Sequence, residues 1–273
     1  MHAYAQGLPT EENPFLHSFS PVGYVECQQR YRYEAARQAS IAPDNEAWIQ
    51  LVDDDDLRLG LRGLEDFERI WVIYELHLNE GWHSLVQPPR AAADKLGVFA
   101  TRAPHRPNRI GLSCVRLLGV EGGRLHVGQH DLLDGTPVLD LKPYVPYADA
   151  FPGARAGWID ACEEAVYTLH IVPAALEQID WVCQHAGWDL MNFLQVQLRT
   201  DPTHAERKRI EQCGSFYRIA FRTWRIEYAV DEGAQSVEVR RVRSGYRAEE
   251  LAEDGEDRYE DKGVHRAFVE AYG

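Results

Sequence analysis

The chain has 273 residues and a formal net charge of −14, with 45% hydrophobic and 26% charged residues. That length accommodates one large or two smaller domains whose core needs no disulfide or metal staple, and the balance of residues excludes wholesale disorder. No apolar run reaches the roughly 18 residues of a membrane helix, and the opening MHAYAQGLPTEENPF has neither the basic nor the apolar block expected of a secretory leader.

Residues 1–17 read as a loose arm. Residues 19–28 alternate, with Phe19, Pro21, Gly23, Val25 and Cys27 on one face, which predicts a strand. A second strand is expected over 47–52, followed by four aspartates at 53–56. Consecutive like charges repel and rarely converge on one centre, so this run reads as a solvated turn and not a metal site. Residues 70–78 (IWVIYELHL) are the strongest strand signal, rich in β-branched and aromatic side chains. Two further strands, 114–120 and 124–127, flank Glu121-Gly122-Gly123, a tight-hairpin signal. A short strand is expected over 138–141. Many short strands and few helical periods point to a barrel or sandwich and not a doubly wound sheet.

The character changes near residues 153–157. Helical spacing appears over 173–184 and 189–198, with Gly187 breaking the two and Asp189 placed to cap the second. Residues 216–230 alternate again, with Arg218 and Arg222 opposite Tyr217, Ile219 and Phe221, and a turn at 231–234 leads to a strand at 237–242. This predicts a hairpin with an arginine-rich face. Residues 247–263 are acidic and poor in apolar side chains, so they read as a mobile tail, with a short terminal helix over 264–272. The division expected is an arm (1–17), a mainly β domain (18–157), a smaller α+β domain (158–246) and an acidic tail (247–273).

The five cysteines (27, 114, 162, 183 and 213) are odd in number, widely spaced and without a C-x-x-C. Reduced, mostly buried thiols of a cytoplasmic protein are expected, and no zinc site. Residues 1–84 carry 6 Lys+Arg against 15 Asp+Glu, and residues 248–273 carry 3 against 9. Residues 85–120 reverse this at 6 against 1, and residues 199–247 at 11 against 7. Two basic stretches therefore lie inside an acidic chain, and local positive charge is what phosphate binding needs.

The common catalytic fingerprints are missing: there is no G-x-G-x-x-G, P-loop, G-x-S-x-G or H-E-x-x-H. His126 and His130 are four apart in a predicted strand, about 13 Å along it, too far to share a metal. Three segments are instead dense in Pro, Gly, Arg, Asn and Asp: 88–90 (PPR), 97–113 (GVFATRAPHRPNRIGLS) and 131–147 (DLLDGTPVLDLKPYVPY). That composition suits rigid loops presenting polar groups of both signs to a ligand of mixed charge.

The same segments, with Gly63-Leu64-Glu65, Ile70 to His77, Gly81-Trp82 and Asp149, resemble the TsaA-like family, in particular its TrmO branch of tRNA N6-threonylcarbamoyladenosine methyltransferases. The likeness covers most of residues 20–150 and extends more weakly into the C-terminal part. It implies a single-sheet β-barrel that binds S-adenosyl-L-methionine, a homodimer with the cofactor near the subunit interface, and a tRNA substrate methylated beside the anticodon, in the anticodon loop. By the resemblance, cofactor-contacting positions fall on Arg37, Gln38, His77, Leu78, Arg102 and Leu112, and on Asp131, Leu132, Leu133, Asp134, Gly135 and Thr136. Arginine grips a carboxylate with a two-point fork, and aspartate holds an ammonium or a ribose.

Methyl transfer mainly requires alignment of donor and acceptor. The acceptor nitrogen carries a hydrogen that a nearby base would relieve. Asp134 and Asp140 are the candidate bases, with Lys142 and Tyr144 to orient the carbonyl and Arg106 and Asn108 to hold the threonyl carboxylate or ribose. For tRNA phosphates the candidates are Arg218, Arg222, Arg240 and Arg241, with Arg225 and Arg243 beside them. Departures from the family pattern are Ala36 and Ala39 around Arg37-Gln38, Arg109 in place of proline, Ala91 to Asp94, and Thr203 to Glu206. They keep two alternatives open: a methyltransferase with another acceptor, and a non-catalytic S-adenosylmethionine-binding protein.

Overall fold

The computed structural model describes residues 18–36, 38–39, 45–88, 95–162, 165–204, 208–252 and 257–273. The expected arm lies outside them.

Six strands close a barrel in the order β1-β2-β7-β6-β3-β8. They are β1 (Gly23–Glu26), β2 (Glu46–Leu51), β3 (Arg69–Glu75), β6 (Ile110–Glu121), β7 (Arg124–Gly128) and β8 (Pro137–Pro143), and all their pairings are antiparallel. Alternation puts Val25, Ile49, Ile70, Val72, Val115 and Leu125 inside, each at most 1% exposed. The β6–β7 hairpin turns on Gly122 and Gly123, at φ 53° and 88°, the double left-handed geometry that a two-residue turn requires. The short pair β4 (Leu85–Val86) and β5 (Leu96–Gly97) lies in the excursion between β3 and β6.

Several expected bounds shift. Residues 19–22 are not strand, and β3 stops at Glu75, so His77 and Leu78 belong to a turn. β6 starts four residues earlier than the hydrophobic run suggested. The aspartate run is not a bare turn: Asp54 caps helix α1 (Asp55–Gly60), accepting from the backbone N–H of Asp56 and Leu57, and negative charge at a helix start is favourable.

After the short helix α2 (Pro146–Asp149), the chain still touches the barrel side, where Trp158 Nε1 donates to Ala100 O at 2.8 Å. The C-terminal sheet has the order β10-β11-β12-β13-β9, with β9 (Thr168–Ile171) parallel to β13 (Ser236–Ser244). The segment expected as one alternating strand is two, β11 (Phe216–Phe221) and β12 (Trp224–Asp231), paired with β10 (Ile210–Cys213). Arg222 therefore sits in the turn between them at φ 50° and not on a strand face. Helices α3 (Pro173–Ala186) and α4 (Leu190–Leu198) cover the inner face; Gly187 ends the first at φ 71° and Asp189 caps the second.

Two sequence expectations are corrected here. The tail is integrated: helix α5 (Ala248–Ala252) buries Leu251, and α6 (Lys262–Tyr272) buries His265 and Phe268 in the C-terminal core. Two of its acids are structural. Asp257 accepts from the N–H groups of Asp261 and Lys262, and Asp261 accepts from Thr223 and Tyr246. The cysteines are free, but Cys183 is exposed and the other four are only partly buried.

His265 is fully buried, stacked on Trp224 and in contact with Ser244 Oγ at 2.9 Å and Thr223 Oγ1 at 3.0 Å. Burial pulls its pKa from 6.5 to about 4, against the opposing pull of Asp261. The unfolded chain therefore takes up this proton first as the pH falls. Stability conferred by the neutral ring is present above pH 6.5 and is lost between about 6.5 and 4, by up to about 3 kcal/mol. A His265→Gln variant should show a flatter dependence of unfolding free energy over that range. An identical slope in urea titrations of both proteins would remove His265 from this role.

Candidate functional site

One end of the barrel gathers buried polar and ionisable side chains. Antiparallel pairing sets Tyr74 opposite Gly111 and Glu75 opposite Ile110. The Tyr74 ring lies over the Gly111 backbone so closely that a Cβ there would come within 2.3 Å of it, so any larger residue would displace the ring. On the inner face, Ser113 Oγ donates to Asp131 Oδ1 at 2.5 Å and lies 3.3 Å from Tyr74 Oη. Burial, with the Asp131 charge nearby, pushes the Tyr74 phenol up to about 12, so it stays protonated at neutral pH. Burial raises the Asp131 pKa, opposed by the Ser113 hydroxyl, the Arg102 charge and the Ala39 backbone.

Asp131 belongs to the loop that crosses this mouth from β7 to β8. The loop is tied to the first strand by Val25 N to Thr136 O and Gly135 N to Val25 O, and to the segment after it by Asp134 N to Gln29 O. Asp134 Oδ1 accepts from Cys27 N at 3.1 Å, and its Oδ2 lies 3.7 Å from Arg30 Nε. The Cys27 thiol beside it is pushed up to about 12 by burial and is no nucleophile. Arg30 is in turn placed by Glu34, whose carboxylate accepts from the backbone N–H groups of Arg30 and Tyr31.

The excursion 76–109 leaves and re-enters at the same mouth. Arg109 closes its neck, pairing with Glu75 at 2.9 Å and donating to Asn79 O. Arg106 organises its far loop: Nη1 donates to the carbonyls of Val98, Thr101 and Ala103, at 2.8–3.4 Å. Exposed apolar side chains gather here: Leu78, Phe99, Ile110 and Leu112, at 40, 77, 44 and 55%.

The predicted residues divide. Around the mouth lie His77, Leu78, Arg102, Leu112, Asp131, Leu133, Asp134, Gly135 and Thr136, with Gln38 next to the Ala39 backbone that meets Asp131. Leu132 is corrected: at 1% exposure its side chain packs into the barrel core, leaving only its backbone. Thr136 is 2% exposed and likewise offers backbone. Arg37 falls outside the described residues.

The four catalytic candidates are not brought together. Asp140 and Lys142 pair with each other at 2.9 Å on the outer face, opposite Ile73 and Trp71. Tyr144 packs on Trp71, and its N–H reaches Arg69 O, at the end of β3 remote from the mouth, some 20 Å along the strand. Asn108 is exposed on the excursion loop. Of the phosphate candidates, Arg222 is corrected to a structural residue: it pairs with Glu34 at 2.8 Å, with 11% and 2% of the two side chains exposed, and its guanidinium lies 3.7 Å from the Trp188 ring centroid. Arg218 pairs with Glu227, Arg240 with Glu238, and Arg241 donates to Tyr272 O. Tyr74, Ser113, Arg30 and Glu34 escaped sequence reasoning; the only local signal was the small pair Gly111 and Ser113 in a strand facing an aromatic one.

The donor set suits an α-amino acid end. Arg102, which makes no ion pair among the described residues, supplies a fork for a carboxylate. Asp131, within reach of the Arg102 charge, supplies an acceptor for an ammonium. The apolar rim suits a flat base. Among the described residues no cluster of side chains fits a metal ion, and no helix is long and apolar enough to cross a membrane.

The family model for the tRNA-methyltransferase O N-terminal domain matches residues 24–150, the barrel and its mouth. RcsF of Pseudomonas aeruginosa is 47% identical over 148 residues, 53% of this chain and 64% of that protein, just under two thirds of its length. The tRNA (adenine(37)-N6)-methyltransferase of Escherichia coli K12 is 29% identical over 226 residues, 80% of this chain and 95% of that protein. The crystal structure of TrmO from Pseudomonas aeruginosa superposes with a TM-score of 0.63 at 34% identity, covering 83% of this chain and 98% of that one. The chain belongs to the TrmO family. The TrmO superposition extends beyond the barrel, so the C-terminal sheet is part of the shared architecture and not an addition peculiar to this chain.

Proposed function

We propose that this protein transfers a methyl group from S-adenosyl-L-methionine to N6 of threonylcarbamoyladenosine beside the anticodon of tRNA, as a cytoplasmic homodimer. The observation that carries the reading is buried Asp131, held by Ser113 at the barrel mouth with Arg102, unpaired among the described residues, within charge range, in a chain of the TrmO family. S-adenosylmethionine, when bound, supplies the activated methyl group.

The chain's own residues bind, orient and exclude water. Arg102 holds the carboxylate of the methionyl end and Asp131 its ammonium, with Ser113, which lies against the Tyr74 hydroxyl, fixing the Asp131 carboxylate. Leu78 and Leu112 flank the adenine, and the backbone of the 131–136 loop reads its edge. Asp134 is the better placed of the two candidate bases, since Asp140 is turned outward onto Lys142. Cys27 N holds one Asp134 oxygen, and Oδ2, which faces Arg30 at 3.7 Å, accepts the N6 hydrogen of the acceptor. The exposed Ile110, Leu112 and Phe99 suit a subunit interface that would close the mouth. The departure at Arg109 does not favour another acceptor, because Glu75 neutralises that cation within the neck of the loop.

The test is transfer from labelled S-adenosylmethionine to tRNA of a strain lacking its own enzyme, followed by nucleoside mass spectrometry. Threonylcarbamoyladenosine heavier by one methyl is expected. Tight cofactor binding without that product would overturn the acceptor assignment.

A further inference from the structure

The outer face of the C-terminal sheet carries a cavity of about 180 Å³, lined by Arg209, Ile210, Glu211, Arg218, Ala220 and Arg225. Sheet register creates it. Glu211 stands opposite Arg218, and Ala220 opposite Arg225, and residues two apart share a face. The small side chain of Ala220 leaves open the space between Arg218 and Arg225. Arg209, at φ 55°, is held by Ala220 N donating to its carbonyl, and its guanidinium lies 4.7 Å from the Tyr33 ring centroid.

Arg209 and Arg225 have no carboxylate partner among the described residues, and Arg218 keeps part of its guanidinium unused. Arg225 Nη1 is pinned by the carbonyls of Arg222 and Trp224 at 3.1 and 2.9 Å. Arg218 gives one nitrogen to Glu227, which also serves Arg243, and stands 4.0 Å from Glu211. The Arg218 Nε is buried with no hydrogen-bond partner. Burial, with the repulsion of Arg209 and Arg218 and against the pull of Glu211, lowers the pKa of Arg225; three cations and one carboxylate line the pocket. Beside it, Tyr31 and Tyr33 stack with ring centroids 5.5 Å apart, and Tyr31 is exposed. Fixed cations next to aromatic planes are the usual means of holding single-stranded nucleic acid.

We propose that Arg209, Arg218 and Arg225 form a site for one phosphate group of the RNA backbone, on the C-terminal domain. The assignment rests on the RNA-substrate reading above. The pocket differs from the open phosphate track that the sequence suggested: Arg222 is taken by Glu34, and Arg240 by Glu238.

The test uses the full chain with two variants. Ala220→Leu fills the cavity and keeps every charge; Arg225→Gln removes one. Inorganic phosphate should bind the native protein saturably and neither variant. Affinity for tRNA at 0.1 M salt should fall about five- to eightfold, with the slope of log K on log salt reduced by about 0.7–0.9, the share of one phosphate contact. S-adenosylmethionine affinity should stay at the native value in both variants, and far-ultraviolet circular dichroism should show both folded. Native tRNA affinity and salt slope in both variants would overturn the proposal. Saturable phosphate binding combined with unchanged tRNA binding would do so as well, and would assign the pocket to a free phosphorylated compound. Failure of methyl transfer by the native protein would sink the proposed function by itself, because the tRNA binding comparison still decides the pocket.

Discussion

Replacing Arg222 with alanine is expected to lower the free energy of unfolding by about 3–5 kcal/mol, the usual consequence of leaving a buried charge without its partner. Glu34 is 2% exposed at the side chain and accepts two bonds from Arg222, at 2.8 and 3.2 Å. Arg222 also donates to Gln28 O and stacks on Trp188. Alanine loses all of this and keeps the left-handed backbone at φ 50°. The damage should reach the barrel mouth. Glu34 orders the backbone of Arg30, and Arg30 faces Asp134, so turnover should fall in protein that is still folded. The paired replacement Arg222→Met with Glu34→Leu should recover part of the stability, because no unpaired charge is left inside. Chemical denaturation measures both. A single variant as stable as the native protein would show that the ion pair does not fasten the β11–β12 turn to the segment after β1.

Asp131→Asn should weaken S-adenosylmethionine binding by about 10- to 100-fold, the loss of one charge-assisted hydrogen bond. The same change should leave the ligand-free protein as stable as before or more so at neutral pH. Burial holds the folded Asp131 pKa above its unfolded value. Its ionised form therefore costs stability, and that cost appears as the pH rises through the folded pKa. Asparagine removes the charge and keeps an oxygen for the Ser113 hydroxyl. Opposite movements of stability and affinity are what a binding group held under strain should produce. Thermal melts with and without cofactor, beside calorimetric titration, read both quantities. Cofactor affinity at the native level would remove Asp131 from the site.

The Arg109 and C-terminal departures look different once partners are visible. Arg109 stands where the family has proline, and the neck of the loop is held by an ion pair to Glu75 and a bond to Asn79 O. A fixed backbone angle has been exchanged for a charged clasp. The loop is still closed, although by a contact that salt weakens.

The barrel strands could be read directly along the chain, because burial on one face imposes a period of two on β3 and β6, and Gly122-Gly123 can only turn. The helices around Gly187 were equally plain from their apolar spacing. The mouth loops announced themselves by composition, and the resemblance placed Arg102, Asp131 and Asp134 among the binding positions. Partners distant in the chain carried no such signal. Glu34 and Arg222 are 188 positions apart, and nothing near either one marks it as buried. The acidic stretch before α6 looked mobile because its own side chains are polar; Asp257 and Asp261 are ordered by N–H groups and hydroxyls that folding brings to them. The cluster of Arg209, Arg218 and Arg225 exists because strand register sets them on one face around Ala220. Periodicity is a local property written in consecutive residues, whereas a charge pair, a pocket or a buried histidine is made by register and packing between segments that the chain keeps far apart.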